Sequence, residues 1–461
     1  MTRIAAPALA MLALALFGFG PARAQPPARI QPPEQVLNFV SGPDAGQWDR
    51  TECPSFRPKL PADSRRYPSQ PPSKRVPPAN ELGALAQTVI REQPVLDPQE
   101  IPGLTLQSLA QPRRIAVWGD SHIAAGPFIP TLLRTLRANG LTVGTRYLPP
   151  TMGRANVRLA QLHAYCIGPG WDTELSYAST TPTISGPALA NRVAQAGPDS
   201  YLWLDLRDAS DRPTLREVRI VYHASAGSAL ELSVNGSATS DVALNTNGDG
   251  TTPSQTLTLR SDAPISTLKL QVTQGRFTLY GFILDDTNPP ALSFDVFGIP
   301  SATVRGWANA DPAYIQQALH GVSYDGVILE YGTNEGNTLS FDHDKYVALL
   351  TQALTNMRQI FPSASCVLVG PPDRGVLEEH GSRGDLLGFS RTHQQIAATQ
   401  REIGKRFGCV AWNWQDLMGG PGGSYGWFYA APSLMGHDLT HLSPAGYKQT
   451  GQALAHSLGW K

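Results

Sequence analysis

Short apolar runs alternate with amphipathic segments in two stretches of the chain. The first begins at position 113, where the apolar run "RIAVW" precedes "FIPTLLRTLRANG", whose apolar residues recur at helical spacing. After position 320, the runs "DGVILEY", "CVLVG" and "CVAWNW" are separated by the amphipathic segments "YVALLTQALTNMRQIF" and "HQQIAATQREIGKRFG". This alternation predicts an α/β fold in which helices cover both faces of a parallel sheet and ligands bind at the carboxyl ends of the strands.

The helical spacing disappears between these two stretches. Residues 171–287 contain short alternating segments such as "EVRIVYHA" and "TLKLQVT", separated by Gly, Asn, Asp and Pro. Such segments predict a β-sandwich or jelly roll. We therefore expect a β-sandwich inserted between two parts of one α/β domain, residues 111–170 and 288–461. The pattern leaves open whether the sandwich is a scaffold or a glycan-binding module.

The N-terminus has the three regions of a secretory signal peptide. Arg3 is basic, residues 4–19 are apolar, and "ARA" at 22–24 fits a cleavage site. We expect residues 1–24 to be removed and the protein to be periplasmic or secreted. Residues 25–110 begin with a proline-rich stretch that cannot sustain a helix or a central strand, so they are predicted to form an extended arm.

Composition narrows the class of partner. The chain of 461 residues has 37 basic and 37 acidic residues, scattered along its length, which gives no indication of nucleic acid as a partner. No apolar run after the signal peptide is long enough to predict a membrane span. Neither observation points to nucleic acid or an anionic membrane as the partner.

Four cysteines in an exported protein allow three disulfide pairings. We favour Cys366 with Cys409, because their segments are predicted to be successive strands of one sheet. Cys53 with Cys166 would then tether the N-terminal arm. The alternative is four buried free thiols, and no close pair of cysteines resembles a zinc site.

Three polar motifs suggest nucleophilic catalysis. "GDSH" at 119–122 places Ser121 just after a predicted strand, "EYGTNEGN" places Asn334 after another, and "HDLTH" places Asp438 three residues before His441. Taken alone, Ser121 fits a helix cap as well as a nucleophile, and Asn334 fits a turn. Together they predict that His441 deprotonates Ser121 while Asp438 orients the imidazole.

These motifs resemble the blocks of the SGNH, or GDSL-type, hydrolases. The resemblance covers roughly residues 110–165 and 290–461 and implies a three-layer flavodoxin-like fold without a metal or an organic cofactor. It also implies an oxyanion hole formed by the N–H of Ser121, the amide of Asn334 and a further backbone N–H. In "FGIPSATVRGW" that last donor aligns best with Ser301, although the family has glycine in this block; Gly298 is the alternative.

A narrower resemblance is to the peptidoglycan O-acetylesterases of Gram-negative periplasms, which share "GDSH", the Gly-Thr-Asn-Glu block at 332–335 and an inserted carbohydrate-binding-module-like β-sandwich. It implies an exported serine esterase that removes O-acetyl groups from a glycan, expected to be peptidoglycan, through an acyl-serine intermediate. The alternatives are a glycan O-acetyltransferase of the same fold and a non-catalytic glycan-binding protein.

Three further motifs invite other interpretations. "GGSYG" fits a nucleophile elbow at Ser424, but neither a strand before it nor a helix after it is predicted. His437 and His441 mimic a zinc-binding pair in too short a helix, and "TNGDGTT" at 246–252 reads as a hairpin turn rather than a calcium loop. His122 is predicted either to line the pocket or to pack in the core.

Overall fold

The computed structural model describes 35–43, 45, 47, 53, 74–82, 100–101, 104–105, 113–159, 162–208, 210–245, 254–338, 340–379 and 384–460. All of them belong to one compact unit, Glu34–Lys461. The predicted signal peptide, most of the predicted arm and the "TNGDGTT" turn lie outside the described residues.

The described chain has a mixed α/β fold, which confirms the predicted class. The strands are β1 (Gln35–Phe39), β2 (Lys74–Arg75), β3 (Arg113–Gly119), β4 (Val143–Gly144), β5 (Tyr147–Leu148), β6 (Ala164–Ile167), β7 (Trp171–Leu175), β8 (Ala190–Gln195), β9 (Tyr201–Asp205), β10 (Leu215–Ala224), β11 (Ala229–Val234), β12 (Ser240–Ala243), β13 (Gln255–Ile265), β14 (Thr267–Gln274), β15 (Arg276–Asp286), β16 (Leu292–Gly298), β17 (Gly326–Glu330), β18 (Ser365–Val369), β19 (Glu378–Glu379) and β20 (Cys409–Trp412). The helices are α1 (Ala79–Leu82), α2 (Ser121–Ala125), α3 (Phe128–Ala138), α4 (Arg305–Ala308), α5 (Pro312–Ala318), α6 (His343–Ile360), α7 (Gly388–Arg406), α8 (Trp414–Leu417), α9 (Gly423–Tyr429) and α10 (Pro444–Ser457).

A parallel sheet with strand order β20-β18-β17-β3-β16-β4 lies at the centre of the α/β portion. Side chains alternate between its faces, as the pleat requires. In β3, Ile115 and Val117 pack with α3 and α10, whereas Ala116 and Trp118 pack with residues of α5 and α6. Both faces are therefore buried, which explains why the strands read as continuous apolar runs rather than alternating ones.

Two further sheets come mainly from the stretch where the helical spacing disappears, residues 171–287, and are completed by β1, β5 and β6 from outside it. One has the order β1-β13-β10-β15-β8-β7 with β5 paired to β15, and the other has the order β12-β11-β14-β9-β6. Buried apolar residues of both sheets, among them Ile220, Leu257, Leu232 and Leu270, belong to one hydrophobic core. The inserted-domain boundaries remain a prediction, because all these strands lie in the same compact unit as the parallel sheet.

Two disulfide bonds cross-link the described chain. Cys366 and Cys409 are register partners on the neighbouring strands β18 and β20, with their Cα atoms 4.5 Å apart. The second bond joins Cys53 to Cys166 on β6 across 113 positions of sequence. These are the two pairings that the sequence favours. Among the described residues, no helix is both long enough and apolar enough to cross a bilayer.

Candidate active site

The turn between β3 and α2 presents Ser121 at the carboxyl edge of the parallel sheet. β3 ends at Gly119, and Asp120 caps α2 by accepting a hydrogen bond from the backbone N–H of His122 at 2.8 Å. A Cβ atom at position 119 would lie 2.3 Å from the Cγ1 atom of Ile123. The sharp turn therefore requires glycine before Asp120, and it leaves the Ser121 side chain in a cavity.

Three side chains form a continuous series of hydrogen bonds. Ser121 Oγ lies 2.9 Å from His441 Nε2, and His441 Nδ1 lies 2.7 Å from Asp438 Oδ2. The other Asp438 oxygen accepts hydrogen bonds from the backbone N–H groups of Thr440 and His441, at 3.0 and 2.8 Å. Leu439 adopts φ +51°, which tightens the turn between the acid and the histidine. The structure thus brings the predicted nucleophile, base and orienting acid together.

The charges of this series suit general base catalysis. Burial acts to raise the pKa of Asp438, but the hydrogen bonds from His441 and Thr440 outweigh it and hold that pKa well below its ordinary value. The hydrogen bond with Asp438 raises the pKa of His441, while burial opposes the rise. Because ionised Asp438 accepts the Nδ1 proton, Nε2 is left to accept the proton of Ser121.

Ser301, rather than Gly298, faces the cavity as a candidate backbone donor. Ser301 has φ +66°, a left-handed conformation that favours glycine, and its N–H has no acceptor among the described residues. Gly298 instead ends β16 against α2, where a Cβ atom would lie 2.5 Å from the backbone nitrogen of Ala124. Gly298 is therefore a packing glycine, whereas Ser301 holds a backbone conformation that glycine adopts more easily.

Asn334 lines the same cavity, and both hydrogens of its amide have acceptors in this structure. Its Nδ2 atom donates to Asp120 Oδ2 at 3.1 Å and to the carbonyl oxygen of Ala302 at 2.9 Å. These bonds fix the side chain between the nucleophile turn and the Ser301 loop. To donate to an oxyanion, Asn334 must share or release one of these hydrogens.

Three carboxyl groups lie next to the nucleophile turn and the Asn334 loop, and all three belong to the "GDSH" and "EYGTNEGN" motifs. Burial raises the pKa of Asp120 to about 6 and that of Glu335 to about 7, and it raises the pKa of Glu330 well above its ordinary value. Glu330 accepts a hydrogen bond from the Asp120 N–H at 3.1 Å. Glu335 accepts from the N–H groups of Val304 at 2.7 Å and Gly332 at 3.0 Å. Glu335 thereby joins the loop that carries Ser301 to the loop that carries Asn334.

The cavity has a volume of about 800 Å³ and contains the whole candidate constellation. Its lining comprises Ser121, Gly126, Pro127, Asn156, Arg158, Pro300, Ser301, Thr333, Asn334, Asn337, Arg374, Asp438, Thr440, His441, Leu442, Pro444 and Tyr447. Sequence reasoning missed Arg158 and Arg374, because they lie in loops where no periodicity or motif distinguishes them.

The structure also places the residues of the other motifs, Ser424, His122 and His437. Ser424 is fully buried, does not line the cavity and lies in helix α9, so the expectation that no helix occurs at this motif is wrong. His122 is fully buried, and its Nδ1 atom lies 2.8 Å from the hydroxyl of Tyr447, so it packs beneath the site. His437 contacts the ring of Phe428, and within the described ranges no group of three or more potential metal ligands is found.

The central parallel sheet carries the series Ser121, His441 and Asp438 at its carboxyl edge, and comparison with solved structures identifies its fold. The solved structure of a peptidoglycan O-acetylesterase is similar to this chain, with a TM-score of 0.58 and 22% identity over 78% of this chain and 95% of that one. The resemblance indicated by the three motifs is thereby confirmed at the level of the fold.

Two other solved structures are similar only at low TM-scores. A putative GDSL-like lipase from Parabacteroides merdae has 17% identity and a TM-score of 0.28 over 37% of this chain and 74% of that one. A family two carbohydrate esterase from Clostridium thermocellum has 12% identity and a TM-score of 0.25 over 65% of this chain and 100% of that one. The sequence matches no family model and no curated protein.

Proposed function

We propose that this protein is a serine esterase that removes O-acetyl groups from a glycan. The observation that carries the proposal is the hydrogen-bonded series from Ser121 through His441 to Asp438, which opens into a cavity of about 800 Å³ on an esterase fold. A cavity of this volume is large enough for a sugar ring next to the acetyl group.

The reaction proceeds in two halves. His441 Nε2 takes the proton of Ser121 as Oγ bonds to the acetyl carbonyl carbon, and the carbonyl oxygen becomes an oxyanion. The ester C–O bond then breaks, His441 returns the proton to the departing sugar oxygen, and acetyl-Ser121 remains. In the second half, His441 removes a proton from water, the hydroxide attacks the acetyl group, and acetate leaves as the proton returns to Ser121 Oγ.

The oxyanion is held by donors at the cavity wall. The N–H groups of Ser121 and Ser301 and the side-chain amide of Asn334 supply them, and removal of one such donor is expected to lower turnover by about 10²-fold or more. The N–H of Ser301 lacks an acceptor among the described residues, so it is available to donate to the oxyanion. Asn334 joins it by sharing the hydrogen it donates to Ala302.

Peptidoglycan is the proposed glycan, and the periplasm or the exterior is the proposed location. The similar structure of a peptidoglycan O-acetylesterase supports the substrate. The predicted signal peptide supports export, and the two disulfide bonds suit an oxidising compartment. The sheet that contains β10 and the sheet that contains β11 would then form the inserted sandwich beside the catalytic domain.

The test is acetate release from O-acetylated peptidoglycan by the wild type, Ser121→Ala and Ser424→Ala, with acetylated xylan as a second polymer. Ser424→Ala is the matched control because this serine is buried away from the cavity. We expect release by the wild type and Ser424→Ala but not by Ser121→Ala, with peptidoglycan preferred. Acetyl transfer to glycan in place of release would make the protein a transferase, and glycan binding without either reaction would make it a non-catalytic binder.

A further inference from the structure

Arg374 is a half-buried cation in the wall of the catalytic cavity. It follows β18 in a segment whose Gly375 N–H donates to the carbonyl oxygen of Leu439 at 3.0 Å, so its backbone is tied to the loop that carries His441. Its guanidinium carbon lies 4.3 Å from the ring centroid of Phe389. The guanidinium is therefore held in place next to the reacting groups.

Arg374 forms no salt bridge with a described residue. Its side chain makes a single hydrogen bond, from Nη1 to Oδ1 of the neutral Asn337 at 2.8 Å, its buried Nε has no partner, and no carboxylate oxygen of a described residue lies within 4.0 Å. Arg192 and Arg358 also lack a carboxylate, but each donates to three or more main-chain carbonyl oxygens. Arg374 therefore keeps donors available for a group that enters the cavity.

Arg158 is a second cation of the same cavity, tied to the nucleophile helix. Its backbone N–H donates to the carbonyl oxygen of Ala124 at 2.8 Å, and its exposed side chain makes no hydrogen bond or ion pair with a described residue. The acidic residue in the cavity lining, Asp438, already accepts from His441 and Thr440. The described lining thus holds two unpaired positive charges and no free negative one.

A neighbouring groove extends this positive character. It has a volume of about 330 Å³ and shares Gly126 and Arg158 with the catalytic cavity. Arg134 and Arg137 also line it, and its described lining contains no acidic residue. Arginine binds carboxylates with paired N–H groups, and an electropositive cleft concentrates anionic ligands.

We propose that Arg374 and Arg158 form a carboxylate-binding subsite, so that the preferred substrate is an acetylated glycan with a carboxylate near the ester. The identity of the ligand as an acetylated substrate rests on the proposed esterase function. The binding of a carboxylate can be measured without it. The carboxylate has two chemical sources: the lactyl group or peptide of a muramic acid residue, and the C6 carboxylate of a uronic acid. A neutral acetylated glycan lacks this group.

The test measures binding in the Ser121→Ala background, in which no turnover consumes the ligand. Calorimetry would compare a muramoyl disaccharide-peptide, an oligogalacturonate and a neutral xylo-oligosaccharide. Arg374→Gln with Arg158→Gln should weaken binding of the carboxylated ligand by about 10- to 100-fold, the range for hydrogen bonds to charged groups, and raising salt should weaken it as well. Arg212→Gln is the control, since this exposed arginine pairs with Asp208 outside both cavities.

Tight binding of the muramoyl ligand alone assigns the subsite to muramic acid, and tight binding of the oligogalacturonate alone assigns it to uronic acids. Equal binding of the neutral ligand, unaltered binding by the double arginine variant, or no binding of any ligand overturns the proposal. If the double variant loses binding while the wild type releases acetate from no polymer, the subsite stands and the esterase function fails.

Discussion

Replacing Glu335 with glutamine tests whether turnover requires Glu335 to link the loop that carries Ser301 to the loop that carries Asn334. One carboxylate oxygen accepts from the Val304 N–H at 2.7 Å and the other from the Gly332 N–H at 3.0 Å. Glutamine has one acceptor oxygen, so its NH₂ group would face one of these N–H groups. The substitution keeps the size of the side chain but removes one of the two hydrogen bonds through which Glu335 links Val304, in the loop of Ser301, to Gly332, in the loop of Asn334.

The magnitude follows from that lost bond. A buried donor left without an acceptor costs about 1–3 kcal/mol, and loss of one oxyanion donor lowers turnover by about 10²- to 10³-fold. Glu335→Gln displaces the oxyanion donors without removing one of them, so the loss should be smaller. We expect the variant to lower kcat by about 10- to 100-fold. The value of KM should change by less than about 2-fold, as for an interaction made in the transition state.

The assay is steady-state acetate release, with Asp295→Asn as a matched control. Asp295 is a fully buried carboxylate, and like Glu335 it accepts from two backbone N–H groups, those of Arg146 at 2.8 Å and Tyr147 at 3.0 Å; it does not line the cavity. We expect both variants to melt at a lower temperature and only Glu335→Gln to lose turnover. Equal losses of kcat in the two variants, or full activity of Glu335→Gln, would refute the reasoning.

The same carboxylate gives a pH dependence of defined sign. Burial raises the pKa of Glu335 to about 7, and the hydrogen bonds from Val304 and Gly332 oppose the rise. Protonation removes one acceptor, so activity should fall as the pH decreases through about 7. In Glu335→Gln, this part of the pH dependence of activity should be absent.

The effect of the same protonation on the stability of the protein has the opposite sign. A folded-state pKa above the unfolded value of about 4.5 stabilises the protein at low pH, and that contribution is lost as the pH rises through about 7. The melting temperature of the wild type should therefore fall more between pH 5 and pH 8 than that of Glu335→Gln.

Three further predictions follow from the site. Asp438→Asn should lower kcat by about 10⁴-fold, because its NH₂ group would stabilise the wrong tautomer of His441; acetate release with no such fall would remove Asp438 from the mechanism. Ser301→Gly should retain turnover within about 2-fold, whereas Ser301→Pro should lose about 10²-fold or more because proline removes the N–H and cannot adopt φ +66°; equal rates for the two variants would exclude this donor. Gly298→Ala should destabilise the protein by about 1–3 kcal/mol in urea unfolding, because its Cβ atom would lie 2.5 Å from the Ala124 nitrogen; unchanged stability would show that α2 moves freely.

The sequence predicted the elements whose pattern is local. The apolar runs at β3, β17, β18 and β20 and the amphipathic segments at α3, α6 and α7 each carry their own periodicity. Helix α9 was missed because four glycines lie at 419–423. Tertiary contacts outweigh that composition: the Ser424 N–H donates to Asp373 at 2.8 Å, and the Tyr425 hydroxyl donates to the carbonyl oxygen of Leu386 at 2.8 Å.

In the candidate site, too, only the features with a local sequence pattern could be predicted. The residues Ser121, Asn334, Asp438 and His441 lie in motifs, so sequence reasoning reached them. Which group satisfies the Asn334 amide depends on contacts between loops that are 32 and 214 positions apart in sequence, and no local pattern encodes them. The unpaired state of Arg374 is likewise a property of what surrounds it in space.

The nucleophile and its base come from opposite ends of the α/β portion, 320 positions apart. Closing so long a loop is entropically costly, and contacts of this separation form slowly during folding. Between Ser121 and His441 the chain must complete every strand of the parallel sheet except β3, and α10 must then pack on α3. Under the proposed function, acetate release therefore requires completion of the whole fold. A chain that stops before position 438 has the nucleophile without its base, so incomplete products of synthesis or proteolysis are catalytically silent.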